Sequence, residues 1–182
     1  MKISIFGGSN PKPGSEAYQE AYLLGKLIGE AGITILTGGY MGTMEAASRG
    51  ASESGGYVIG VTCEEIESWR PASPNPWVEE EWRCETLRER AYTMVENCDV
   101  AIALPGGVGT LLEICLTWNQ LAIQAIPPKP IILIGSQWQK IIETFYNELG
   151  DYIAMENREY VAFAPNPEDA FELLTHFLKL SK

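Results

Sequence analysis

The densest chemistry in the sequence is the run Ala103-Leu104-Pro105-Gly106-Gly107-Val108-Gly109-Thr110-Leu111-Leu112-Glu113. An apolar, strand-like stretch enters three glycines and leaves as a helix. Without Cβ atoms, glycines let successive backbone N–H groups face an anion, and the helix start adds partial positive charge. Gly106, Gly107, Val108, Gly109 and Thr110 are therefore expected to hold a phosphate, with the Thr110 hydroxyl free to cap the helix and to donate. The run lacks the Gly-Lys-Ser/Thr of a Walker A loop and is not G-x-G-x-x-G. The competing reading is a tight turn with no ligand; three glycines beside a helix start favour the anion. Glu113 falls three residues after Thr110 on the same helix face, where a carboxylate reaches a sugar anchored by its phosphate. Thr110 and Glu113 also fit a T-x-x-E capping box, and spacing alone favours that plainer role.

Two more glycine turns follow apolar runs: Phe6-Gly7-Gly8-Ser9 and Thr37-Gly38-Gly39-Tyr40-Met41-Gly42-Thr43. Gly8, Ser9, Gly38, Gly39 and Gly42 read as further walls of one phosphate pocket, against the alternative of ordinary strand-to-helix connections. The stretch Arg83 to Arg90 mixes charge signs and, on its own, reads as a solvated helix face. Tyr92 and Met94 read as packing residues, His176 as a surface residue, and Cys98 and Cys115 as buried small hydrophobes.

These residues need a scaffold, and the chain alternates strand and helix to supply one. Strands are expected at 3–6, 33–36, 57–61, 100–104 and 131–134, with a further one at 160–164. Helices are expected at 15–31, 42–54, 81–97, 110–125, 138–149 and 167–178, with Ala21, Leu24, Leu27 and Ile28 on one face of the first and Gly32 closing it. Residues 62–80, with Pro71, Pro74, Pro76, Trp69 and Trp77, read as a long loop, either a binding lid or a segment packed down by its tryptophans. The pattern predicts one α/β domain over 1–182, a Rossmann-like, doubly wound and mostly parallel sheet flanked by helices. Ligands bind such sheets beyond the carboxyl ends of the strands, where strand order reverses. The strands at 3–6 and 100–104 are the expected neighbours there, and both lead into glycine turns.

Composition narrows the function. The chain has 182 residues and a formal net charge of -11, which disfavours nucleic acid and an anionic membrane surface as partners. Four cysteines without a CxxC pair and one histidine argue against a zinc site, and nothing demands disulfides, which suits a reducing, cytoplasmic location. No apolar run is long enough to span a membrane.

At these residues the sequence resembles the LOG family, long mislabelled as lysine decarboxylases, within a wider superfamily of Rossmann-like nucleotide-binding proteins. The family motif PGGxGTxxE is matched in full by Pro105 to Glu113, and the other two glycine turns resemble the family's own; the likeness spans residues 2 to 135. The family carries an arginine on the preceding helix, in the form M-x-x-R-K, and Arg90 takes that place. This sequence departs at Ala91 for the lysine, Leu87 for the methionine and Val108 for the frequent tyrosine. The resemblance implies a phosphoribohydrolase that frees the base of a nucleoside 5′-monophosphate, AMP or a cytokinin-type N6-modified AMP, leaving ribose 5-phosphate. It implies Arg90 and Glu113 as the catalytic pair, a homodimer, and neither metal nor cofactor. The alternative within the superfamily is a non-catalytic nucleotide-binding or molybdenum-cofactor carrier protein.

Overall fold

A computed structural model describes residues 1–180; the last two residues of the 1–182 unit lie outside the described residues. Seven strands, β1 (Lys2–Phe6), β2 (Thr34–Thr37), β3 (Val58–Cys63), β4 (Glu80–Cys84), β5 (Val100–Ala103), β6 (Ile131–Ile134) and β7 (Val161–Ala164), form one sheet in the order β4-β3-β2-β1-β5-β6-β7. All six pairings are parallel. The order reverses between β1 and β5, the strands expected to meet there. The central strands are short apolar runs because both their faces are covered: Val100–Ala103 and Ile131–Ile134 are buried throughout.

The helices are α1 (Glu16–Glu30), α2 (Thr43–Glu53), α3 (Glu64–Trp69), α4 (Leu87–Glu96), α5 (Val108–Ala122), α6 (Ser136–Leu149), α7 (Met155–Arg158) and α8 (Pro167–Leu180), with a 3-10 turn at Gly150–Tyr152. One apolar layer lies under α1, α2 and α8, around Ile3, Ile5, Leu24, Ile28 and Leu174. The other lies under α4, α5 and α6, around Met94, Val95, Ile114, Trp118 and Ile142. On α1, Ala21, Leu24 and Ile28 are buried as the spacing requires, Leu27 is half-buried, and Gly32 follows the helix at φ +69°.

The structure corrects the reading of residues 62–97. Residues 81–84, expected in a helix, form the edge strand β4 together with Glu80, and in it Trp82 and Cys84 turn inward and Glu81 and Arg83 outward. Charges on an edge strand deter further pairing, and they also masked its two-residue alternation. Helix α4 starts only at Leu87, where Thr86 and Glu89 form a reciprocal capping box. The long loop contains α3, and its tryptophans differ: Trp69 is 79% exposed, whereas Trp77 is half-buried, with Arg49 Cζ 5.4 Å from its ring centroid. The loop's anchor is Asn75, buried, whose Nδ2 donates to the carbonyls of Gly39 and Tyr40, both at 3.0 Å. Cys115, expected inside, is exposed on α5, whereas Cys98 is buried. Tyr92 is also exposed, whereas Met94 is buried.

Helices α1 and α2 pack through small residues, so that backbone meets backbone. A Cβ on Gly29 would lie 2.6 Å from the Ala51 carbonyl oxygen. In a free helix Gly→Ala gains about 1 kcal/mol of propensity; here the clash with main chain outweighs it. Gly29→Ala is expected to lower stability by about 1–2 kcal/mol, read as a lower urea midpoint at unchanged slope.

Candidate functional site

Three glycine turns lie side by side at the carboxyl edge of the sheet. Gly8 N–H donates to the Pro105 carbonyl at 3.2 Å, joining the first turn to the turn at 105–110. Thr43 donates to the Gly8 carbonyl twice, from N–H at 3.0 Å and from Oγ1 at 2.9 Å, joining the first turn to the turn at 37–43. Gly42, at φ +76°, is pressed against Ser9, where a side chain would sit 2.6 Å from the Ser9 Cα. Asn75 then ties the 64–79 segment onto the same row.

The predicted phosphate residues divide by this knitting. Gly39 N–H donates to Thr37 Oγ1 at 3.2 Å, so the N–H groups of Gly8, Gly39 and Thr43 hold protein to protein. Gly106, Gly107, Val108 and Gly109 are exposed, and the first N–H groups of α5 have no intrahelical partner. The open donors for an anion therefore belong to the 105–110 turn. Thr110 does not cap α5: the helix begins at Val108 behind Gly107, with no side-chain cap. Thr110 lies inside the first turn, buried, its hydroxyl filling the space beside Gly106. With the start moved to Val108, the T-x-x-E capping box cannot form, and the Glu113 carboxylate is free to point inward.

There it meets Arg90. Both side chains are buried, at 7% exposure for Arg90 and 8% for Glu113, with Nη1 3.8 Å from Oε1. Arg90 Nε donates to the Val61 carbonyl at 2.7 Å, its Nη2 faces Met44 Sδ at 3.8 Å, and its Cζ stands 5.8 Å from the Tyr40 ring centroid. The place a Gly38 side chain would occupy is filled by this guanidinium. Gly38 thus makes room for Arg90. The Tyr40 hydroxyl donates towards the Cys63 carbonyl at 3.2 Å and Glu67 Oε1 at 3.1 Å, and accepts from Cys63 N–H at 2.7 Å.

Of the solvated-helix reading of 83–90, Arg83 keeps only the exposure, since it lies on β4 and pairs with Glu64 and Glu67 of α3, and Arg90 keeps the helix but is buried. The signal for Arg90 was its spacing: Arg90, Ala91, Met94 and Val95 form the buried stripe of α4. Tyr40 and Asn75, which shape the site, were not singled out. His176 is exposed and apart. Among the described residues no cluster of three or more His, Cys, Asp or Glu is placed to hold a metal, and no helix is long and apolar enough to cross a membrane.

Burial pushes the Glu113 carboxyl up to about 7, although Arg90 pulls it down. At that value the group is divided between acid and carboxylate near neutrality, which suits proton transfer or charge stabilisation. Between about pH 4.5 and 7 the folded state holds a proton that the unfolded chain releases, so this group's contribution declines as pH rises, by up to about 3 kcal/mol. Glu113→Gln is expected to gain stability relative to the parent as pH rises from 5 to 8, measured by urea unfolding across that range.

Residues 1–162 match the model of the SLOG cluster4 family. The chain is similar to a cytokinin riboside 5′-monophosphate phosphoribohydrolase of Rhodococcoides fascians, 30% identical over 83% of this chain and 73% of that protein. It is 27% identical to one from Arabidopsis thaliana, over 97% of this chain and 84% of the relative. Among solved structures it resembles the molybdenum cofactor binding protein of Rippkaea orientalis, with a TM-score of 0.75 and 29% identity over 97% and 96% of the two chains. The Chlamydomonas reinhardtii molybdenum cofactor carrier protein, 23% identical with a TM-score of 0.74 over 98% of each chain, shares the fold.

Proposed function

The chain belongs to the SLOG cluster4 family, of LOG type, and from that footing we propose that it is a phosphoribohydrolase of nucleoside 5′-monophosphates, AMP or an N6-modified AMP. The observation that carries the reading is the buried Arg90–Glu113 pair beside a glycine turn with open N–H donors. Phosphoribohydrolase is also the activity in the names of the Rhodococcoides and Arabidopsis relatives.

The 5′-phosphate rests on the N–H groups at the start of α5, with Thr110 close behind them. Water bonds to C1′ and gives up a proton as the C1′–N bond breaks; the bond's electron pair leaves with the base, which takes up a proton, so one water is consumed and no proton is gained or lost overall. Positive charge builds on the ribose ring, as in other glycoside cleavages. The Glu113 carboxylate faces that charge and orients the water, losing least to solvent because its surroundings are dry. Arg90, fixed by Val61, Gly38 and Tyr40, holds Glu113 in line and offers its outer nitrogen to a ribose hydroxyl.

A second reading, a carrier that binds without cleaving, has its own support: the likeness to the Rippkaea protein, named for molybdenum cofactor binding, and Ala91 where LOG proteins have lysine. Incubation with AMP, N6-modified AMP and other nucleoside monophosphates separates the two. Free base and ribose 5-phosphate are expected, with turnover reduced at least 100-fold in Glu113→Ala and Arg90→Ala. Gly38→Ala, which displaces the guanidinium without touching Glu113, is expected to lower turnover at least tenfold. Tight nucleotide binding with no base release would establish the carrier instead.

The same proposal includes a homodimer. Its expected face is the apolar groove of about 470 Å³ between α5 and α6, lined by Leu111, Cys115, Trp118, Ile141, Phe145 and Tyr152. Phe145→Glu is expected to halve the mass found by light scattering; an unchanged mass would place the contact elsewhere.

A further inference from the structure

Cys63 and Cys84 stand opposite one another in the parallel pair β3–β4, as the last register partners of that ladder. Neighbouring strands lie about 4.8 Å apart, and partners in register point to the same face. That spacing falls within the roughly 4.4–6.8 Å between Cα atoms that a disulfide spans. Both thiols are free. Cys63 Sγ donates towards the Glu85 carbonyl at 3.8 Å, and Cys84 Sγ lies 3.7 Å from Thr93 Oγ1. Cys84 is half-buried, whereas Cys63 has no exposure.

The geometry points to a reversible oxidation site at Cys63 and Cys84 that takes low-molecular-weight disulfides such as oxidised glutathione. The Cys84 thiolate, the one with access, attacks a sulfur of the small disulfide. A mixed disulfide forms on Cys84 and one small thiolate leaves. The Cys63 thiolate, its proton released to water, then attacks the Cys84 sulfur. The protein disulfide forms and the second small thiol departs, so two electrons pass from the protein to the reagent.

The consequence lies in what the bond would enclose. Residues 64–83 carry α3, Glu67 and Asn75, the segment laid over the turn at 37–43. In the thiol form β4, the edge strand, pairs with β3 alone, and only side-chain contacts such as Trp82 against the core and Arg83 with Glu67 add to that ladder. A covalent link closes that segment at its base. It also joins the two backbones from which Arg90 hangs: Val61, two residues before Cys63, accepts from Arg90, and Thr86, two residues after Cys84, starts the helix bearing it.

The test uses the full chain in a Cys115→Ser background, so that the exposed thiol of α5 cannot link two copies. After equilibration with oxidised glutathione, intact mass is expected to fall by about 2 Da with one Cys63–Cys84 peptide, and to recover with dithiothreitol. Cleavage within 64–79 by a protease is expected to slow about tenfold. Cys63→Ser should stop at a stable glutathione adduct on Cys84 with unchanged cleavage. Full alkylation of both cysteines after oxidant treatment, or a link from Cys84 to Cys98, would overturn the proposal. None of these readouts depends on nucleotide cleavage.

Discussion

A guanidinium removed from water must receive its hydrogen bonds from protein, and here that requirement organises the carboxyl edge of the sheet. Arg90 draws on the end of β3 through Val61, on the second glycine turn through the space at Gly38, and on the ring of Tyr40. Each provider is fixed in turn: Tyr40 by the main chain of Cys63, Gly39 by Asn75, and the second turn by the first through Thr43. The carboxylate of Glu113 has a dry cation to face only because that chain of supports holds. A buried pair is a weak source of stability; here burial raises the Glu113 carboxyl and Arg90 limits the rise, which leaves a proton-binding group near neutrality at a chosen place.

The turns divide the work between them. In two of them the glycines permit close approach of backbone to backbone or to Arg90, and the N–H groups of Gly8, Gly39 and Thr43 are taken up within and between the turns. The third begins a helix and leaves its donors towards solvent. Glycine richness alone marks all three alike, because the residue type reports room for something without saying whether a ligand or a neighbour fills it.

That ambiguity sets how much was legible in the sequence. The alternation of short apolar runs with amphipathic helices gave the elements, since periodicity is local, and the usual order of doubly wound sheets gave the neighbours at the reversal. Residues 81–84 resisted because an edge strand shares its charged composition with a solvated helix. Thr110 looked like a cap because T-x-x-E is a local pattern, yet the helix starts two residues earlier. Residue pattern alone gave 83–90 a solvated role, and only the likeness to the LOG motif picked out Arg90, whose partners Val61, Gly38 and Tyr40 lie 29 to 52 positions away in the chain. Asn75 was hidden among prolines for the same reason: its partners are carbonyls of another loop, and carbonyls leave no trace in residue identity.

An all-parallel sheet gathers every strand's carboxyl end on one side, while the two apolar layers lie along its faces. The connecting segments on that side can therefore change in length and composition without disturbing the apolar layers that decide whether the chain folds. Such a frame lets chemistry drift while architecture stays put. One skeleton can thus present different chemistries along a single rim.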